Sequence, residues 1–129
     1  MRKYIITPVL LAIVCMVMCR CTSNRKASVA ANEYLIQGEL ANLPDSIVIG
    51  LYEEDGNILN CVLRDTLMNG QFSFRDTVST TRKMLIMSDN RGFPGTWLEV
   101  WIAPGEYIEI KGQDKLVKTW EVVSDVPEQ

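Results

Sequence analysis

The chain contains no histidine, and three of its four cysteines sit in the first twenty-one residues. Without imidazole the commonest general base, the commonest metal ligand and every histidine-based triad are excluded. A structural zinc would need Cys or His ligands that the body does not have, so no metal site is expected. Clustered basic charge is also missing. The 13 basic side chains are outnumbered by 16 acidic ones, for a net charge of −3, which argues against a nucleic-acid partner. No Walker loop, dinucleotide fingerprint or serine elbow occurs, and no cofactor is expected. No stretch keeps helical spacing over three turns. At 129 residues there is room for one domain and little else.

Long apolar runs are scarce too, and the longest lies at the N-terminus. A short basic start, Arg2-Lys3, precedes a nearly unbroken apolar segment from Tyr4 to Cys19. As a helix those residues span about 24 Å, short of the ~30 Å hydrocarbon core of a bilayer. Basic start, short apolar stretch and polar continuation form the pattern of a secretory signal peptide. The cysteines refine it, because secreted domains use cysteines in pairs and Cys61 stands alone in the body. A cysteine closing a signal sequence ahead of polar residues resembles a bacterial lipoprotein processing site. Cys21, followed by Thr22-Ser23-Asn24, is the first choice for lipidation and Cys19 the second. The residue before each is not small (Arg20 and Met18), a departure from that pattern. Loss of Arg2, Lys3 and Arg20 would take the charge from −3 to −6. Acyl chains anchor such a protein without help from basic residues. The expected organisation is a lipoprotein-type signal peptide over 1–20, a flexible Ser/Asn/Ala/Lys-rich tether over 21–32 and one domain over 33–129.

From Glu33 onward short alternating or β-branched runs recur, each ended by turn chemistry. Strands are expected over Tyr34–Leu40, Ser46–Tyr52, Ile58–Met68, Gln71–Val78, Lys83–Ser88, Thr96–Ile102, Glu106–Lys111 and Thr119–Val123. Seven or eight short strands in one small domain predict an all-β fold, an antiparallel β-sandwich.

Two turns suggest registers. Asn69-Gly70 is the strongest hairpin dipeptide, because both central residues of a type I′ turn need positive φ. A two-residue loop there pairs Met68 with Gln71, Leu67 with Phe72 and Asp65 with Phe74. Leu63, Leu67, Phe72 and Phe74 then share the core face, and so does Asp65. A carboxylate there is costly unless hydrogen-bonded, so Asp65 is expected to be satisfied by backbone amides of a neighbouring turn. In the second hairpin, a three-residue Ala103-Pro104-Gly105 loop with Gly105 left-handed sorts the faces. Leu98 and Val100 then face Ile108 and Ile110. On the other side Trp97 meets Lys111, Glu99 meets Glu109 and Trp101 meets Tyr107. Trp97, Trp101 and Tyr107 become a candidate partner face, either covered by other parts of the fold or used to dock a glycan or protein.

Other chemistry is thin. Cys61 has no base or second thiol to activate it and is expected as a half-buried small hydrophobe. Cys19-Arg20-Cys21 has the wrong spacing for a dithiol redox site. The acidic stretch Glu53–Asn57 lacks the ligand spacing of a calcium loop and is expected as a solvated tip.

Three stretches carry a family resemblance: Tyr34–Leu40, Asp65-Thr66 through Asn69–Phe74, and Val100–Gly112 with its Ala103-Pro104-Gly105 turn. Together they resemble an all-β domain of unknown function found near the N-terminus of bacterial envelope lipoproteins, commonly ahead of a thioredoxin-like module. The resemblance covers Glu33 to Gln129 and implies a non-catalytic domain, lipid-anchored in the cell envelope at the outer membrane, on its periplasmic or its surface side. The partners it implies are the membrane and either another protein or a C-terminal thioredoxin-like domain. The Trp120–Gln129 ending is similar to the segment leading into that next module. No redox cysteine pair follows here, so the expectation is a stand-alone or truncated form, with thiol–disulfide activity carried over to no residue. The alternative is a surface binding module recognising a glycan or protein through its aromatic sheet face.

Overall fold

Alternation along the chain becomes two facing sheets. The computed structural model describes residues 28–129. The apolar leader, Cys15, Cys19, Cys21 and the first part of the expected tether lie outside the described residues. The strands are β1 (Glu33–Leu40), β2 (Val48–Asp55), β3 (Ile58–Thr66), β4 (Gln71–Thr77), β5 (Arg82–Met87), β6 (Leu98–Ile102), β7 (Tyr107–Gly112) and β8 (Glu121–Ser124). One 3-10 turn, Val117–Thr119, precedes β8. The first sheet has the order β4-β1-β7-β8 and the second β3-β2-β5-β6. This is the β-sandwich that the spacing of the turns predicts.

Ile36, Phe74, Ile108 and Ile110 of the first sheet, with Ile49, Leu51, Ile86 and Val100 of the second, are at most 2% exposed. All eight belong to one core cluster. Burying each such side chain contributes about 1.5–3 kcal/mol, whereas an exposed ion pair contributes about 0–1 kcal/mol. The sheet interface therefore holds the fold, and surface pairs such as Arg75–Glu33 (3.4 Å) and Lys83–Glu99 (3.6 Å) add little. Phe72 fills a slot in its neighbour. A Cβ built on Gly38 would lie 1.9 Å from the Phe72 ring, so that ring occupies the space that any larger residue at 38 would need.

The pairing departs from expectation in three ways. Among the described residues five of the six strand pairings are antiparallel, but β1 and β7 run parallel, with Ile36 opposite Ile108 and Gln37 opposite Glu109. The Asn69-Gly70 turn forms as expected, with φ of 50° and 75° and a Met68–Gln71 bridge. The hairpin then opens at once. Leu67 N–H donates to the Ile47 carbonyl at 2.7 Å, Phe72 pairs with Gly38, and Asp65 pairs with Ile49. Leu67, Phe72 and Phe74 still reach the core, but from opposite sheets. The third departure is the loop Ala103-Pro104-Gly105. Gly105 is left-handed (φ 78°) as expected, yet β6 and β7 do not pair. Gly105 N–H donates to the Glu33 carbonyl at 2.7 Å and Leu35 N–H to the Glu106 carbonyl at 3.1 Å, which starts the parallel ladder. Val100 and Ile110 therefore face each other across the core instead of sharing one face. The last residues of the expected tether are tied to the sheet: Val78 N–H donates to the Asn32 carbonyl at 2.9 Å.

Candidate functional site

The outer face of the first sheet is assembled by strand parity. Ile36, Ile108, Ile110, Phe72 and Phe74 point into the core. Gln37 and Glu39 of β1, Ser73 of β4, and Tyr107, Glu109 and Lys111 of β7 therefore point outward. The chain crossing from β3 to β4, Asp65 to Asn69, rises beside this face and turns it into a groove of about 520 Å³.

Tyr107 organises the groove floor. Its half-buried ring carries a hydroxyl 2.8 Å from Gln37 Oε1 and 3.0 Å from Glu109 Oε1. A phenol has one proton, so it donates to one of these oxygens at a time. Burial first, then the hydrogen bond from the phenol to Glu109 and the charge of that carboxylate, push the Tyr107 phenol up to about 12. The phenol therefore stays protonated at neutral pH. Asp65 closes one wall. Its Oδ1 accepts from Thr66 N–H at 2.9 Å and its Oδ2 from Ser73 N–H at 2.8 Å. Asp65 is thus satisfied by backbone amides, and it stitches β3 to β4 where the two strands part.

The outer face of the second sheet is different. Tyr52 is 8% exposed, and its hydroxyl donates to Asp89 Oδ2 at 2.9 Å. Burial, followed by that hydrogen bond and the Asp89 charge, raises its pKa. The Tyr52 ring lies over Gly50, whose added Cβ would meet it at 2.5 Å. A smaller hollow of about 400 Å³ beside it is lined by Arg64, Asp89 and Arg91, among others. Cys61 is exposed rather than half-buried. Its Sγ accepts from Arg64 Nε at 3.2 Å and its thiol faces the Leu63 carbonyl at 3.5 Å. In the acidic stretch Glu53–Asn57, Glu53 is ion-paired with Arg82.

The expected aromatic face is not assembled. Trp101 pairs with Lys83 in the second sheet, while Tyr107 pairs with Leu35 in the first. Trp97, 43% exposed, precedes β6 on the Trp101 side by parity. The tryptophans and Tyr107 thus lie on opposite outer faces of the sandwich, because the β6–β7 connection crosses between sheets. Trp101 is half-buried, and its backbone N–H, on the open edge of β6, donates to Gln129 Oε1 at 3.0 Å.

Sequence reasoning did not reach the cluster of Gln37, Tyr107 and Glu109. Gln37 and Glu109 are opposite only in the parallel β1–β7 ladder, and no turn joins those strands. The one available signal was the alternation of Tyr107, Glu109 and Lys111 with buried isoleucines. Tyr52 and Asp89 were likewise unlinked, because Asp89 lies in the loop after β5. Comparison with protein-family models, with curated proteins and with solved structures gives no match.

Proposed function

We propose that this chain is a lipid-anchored β-domain of a bacterial cell envelope, a non-catalytic accessory domain of the kind that precedes thioredoxin-like modules. The observation that carries the reading is the apolar run from Tyr4 to Cys19, closed by cysteines and followed by a polar segment that leads straight into a β-sandwich. Outer-membrane attachment belongs to the same reading. With Cys21 acylated, Cys61 is the one thiol left in the body, and one thiol makes no intramolecular catalytic disulfide. Asp65 supports the non-catalytic half, since its carboxylate is committed to two backbone amides. Metabolic labelling with an alkyne fatty acid tests the anchor. Wild type should take up label, and Cys21→Ser should abolish it while Cys19→Ser retains it. Uptake lost only with Cys19→Ser moves the site. An unlabelled wild type, or label surviving both substitutions, refutes the anchor.

A further inference from the structure

We infer that the tip of the β2–β3 hairpin rests on the lipid surface to which the chain is anchored, with Ile58, Leu59 and Val62 entering the headgroup layer. This contact depends on the anchor at Cys21 proposed above.

In a sandwich, alternate residues of a strand are covered by the facing sheet. The first five residues of β3, Ile58 to Val62, are instead all exposed. Ile58 and Leu59 point to opposite faces of the hairpin, yet they are 64% and 40% exposed, with Val62 at 40%. Neither sheet covers the tip. Single exposed apolar residues are ordinary, but a cluster of them marks a surface that meets a partner or a membrane.

The course of the chain selects the membrane. β3 and β4 are edge strands of the two sheets on one side of the sandwich, where Asp65 Oδ2 accepts from Ser73 N–H at 2.8 Å. β3 enters the Asn69-Gly70 turn and β4 leaves it, so the start of β3 and the end of β4 share the end of the sandwich away from that turn. The chain comes in at that same end. The Arg75 guanidinium of β4 donates to the Ser28 carbonyl at 3.4 Å, and Val78 N–H to the Asn32 carbonyl. The seven residues from Cys21 to Ser28 span at most about 25 Å when fully extended. With Cys21 acylated, the hairpin end therefore lies nearer the bilayer than the turn end. Three apolar side chains bind lipid too weakly to recruit a free protein, but a tether keeps the surface at high effective concentration, and a weak contact then orients the domain.

The charge at the tip fits a zwitterionic surface. Glu54 and Asp55 are exposed, opposite Leu59 and Ile58 in the β2–β3 register. Their carboxylates accept hydrogen bonds from ethanolamine ammonium headgroups and are repelled by anionic lipid.

Cys61 reports on the contact, because it lies between Leu59 and Val62 and is the one free thiol once the leader is removed and Cys21 acylated. The acylated chain is labelled there with an environment-sensitive dye and placed in vesicles of phosphatidylethanolamine and phosphatidylcholine, with or without brominated acyl chains. Bromine should quench this dye roughly twofold or more. A dye at position 68 (Met68→Cys with Cys61→Ser), exposed at the turn end, should stay unquenched. Ile58→Ser with Leu59→Ser replaces only exposed side chains, and it should abolish quenching at 61 while the protein still floats with the vesicles. Replacing phosphatidylcholine by phosphatidylglycerol should weaken the quenching. A floating chain whose dye at 61 is quenched no more than one at 68 overturns the hairpin contact and leaves the anchor standing. So does quenching that survives the serine pair or grows with phosphatidylglycerol, or a blue shift without bromine quenching, which would put a second copy on the tip. A chain that carries no acyl group and stays in the buffer overturns the anchor, and this contact with it.

Discussion

Replacing Gly38 by Ala is the most direct probe of the register on which both core and groove stand. An added Cβ would lie 1.9, 2.1 and 2.5 Å from Cε1, Cζ and Cδ1 of Phe72. These are far inside van der Waals contact, and they involve a ring that is 3% exposed and wedged in the core cluster. Two effects oppose each other. Alanine restricts the unfolded chain and by itself would stabilise a strand by roughly 0.5–1 kcal/mol. Forcing a methyl into a packed core costs about 1–3 kcal/mol, because the ring must leave its rotamer or the strands must part. The clash involves three ring atoms at once, so overpacking wins and a net loss of about 1–2 kcal/mol is expected. For a domain of this size that lowers Tm by roughly 4–16 °C.

The companion measurement isolates the cause. In a Phe72→Leu background the ring is gone, so Gly38→Ala should cost little or even stabilise, giving a coupling of about 1–2 kcal/mol in the double-mutant cycle. Denaturant unfolding of the four proteins supplies the numbers. Neutral or stabilising Gly38→Ala in the wild-type background would refute the Gly38–Phe72 register. A loss that persists unchanged with Phe72→Leu would attribute the cost to something other than the ring.

Two further outcomes follow from the same geometry. Asp65→Ala leaves the Ser73 and Thr66 amides without their acceptor, so a loss of about 1–3 kcal/mol is expected, with Asp65→Asn intermediate because it keeps one oxygen; equal stability of all three in urea unfolding would contradict the stitch between β3 and β4. The phenols of Tyr34 and Tyr107, both held up to about 12 chiefly by burial, set an alkaline limit. A raised folded pKa means that the native state holds its protons more tightly than the unfolded one. This contribution is complete below pH 10 and is lost as the pH rises from about 10 toward 12. The Tm of the wild type should fall across that window, and less steeply in Tyr107→Phe. Phenolate absorbance titrating wholly near 10 in the folded protein would refute it.

How much of this was legible in the sequence follows from what alternation encodes. Strand positions are local. Ile36, Phe74 and Ile108 each sit in a two-residue period bounded by turn residues, and the observed strands lie within a few residues of those periods. Pairing is not local. In a hairpin, apolar side chains of both strands share one face. In an arch between sheets, the same side chains face each other across the core. The written pattern is identical. Asn69-Gly70 adopts the turn its chemistry demands, and Gly105 takes the positive φ its loop needs, yet both turns lead into the opposite sheet. A turn dipeptide determines that the chain reverses, not whether the two arms hydrogen-bond afterwards. The arms are claimed by other partners here: Leu67 by Ile47, Phe72 by the empty space over Gly38, and Gly105 by Glu33. Only the last of these contacts sets up the parallel β1–β7 pair. That one non-local ladder moves Tyr107 away from Trp101 and brings Gln37 beside Tyr107 and its strand neighbour Glu109. The candidate site thus hangs on the pairing that periodicity cannot express, while Leu67, Phe72, Phe74, Val100, Ile108 and Ile110, whose inward placement needs only the period, were readable as core.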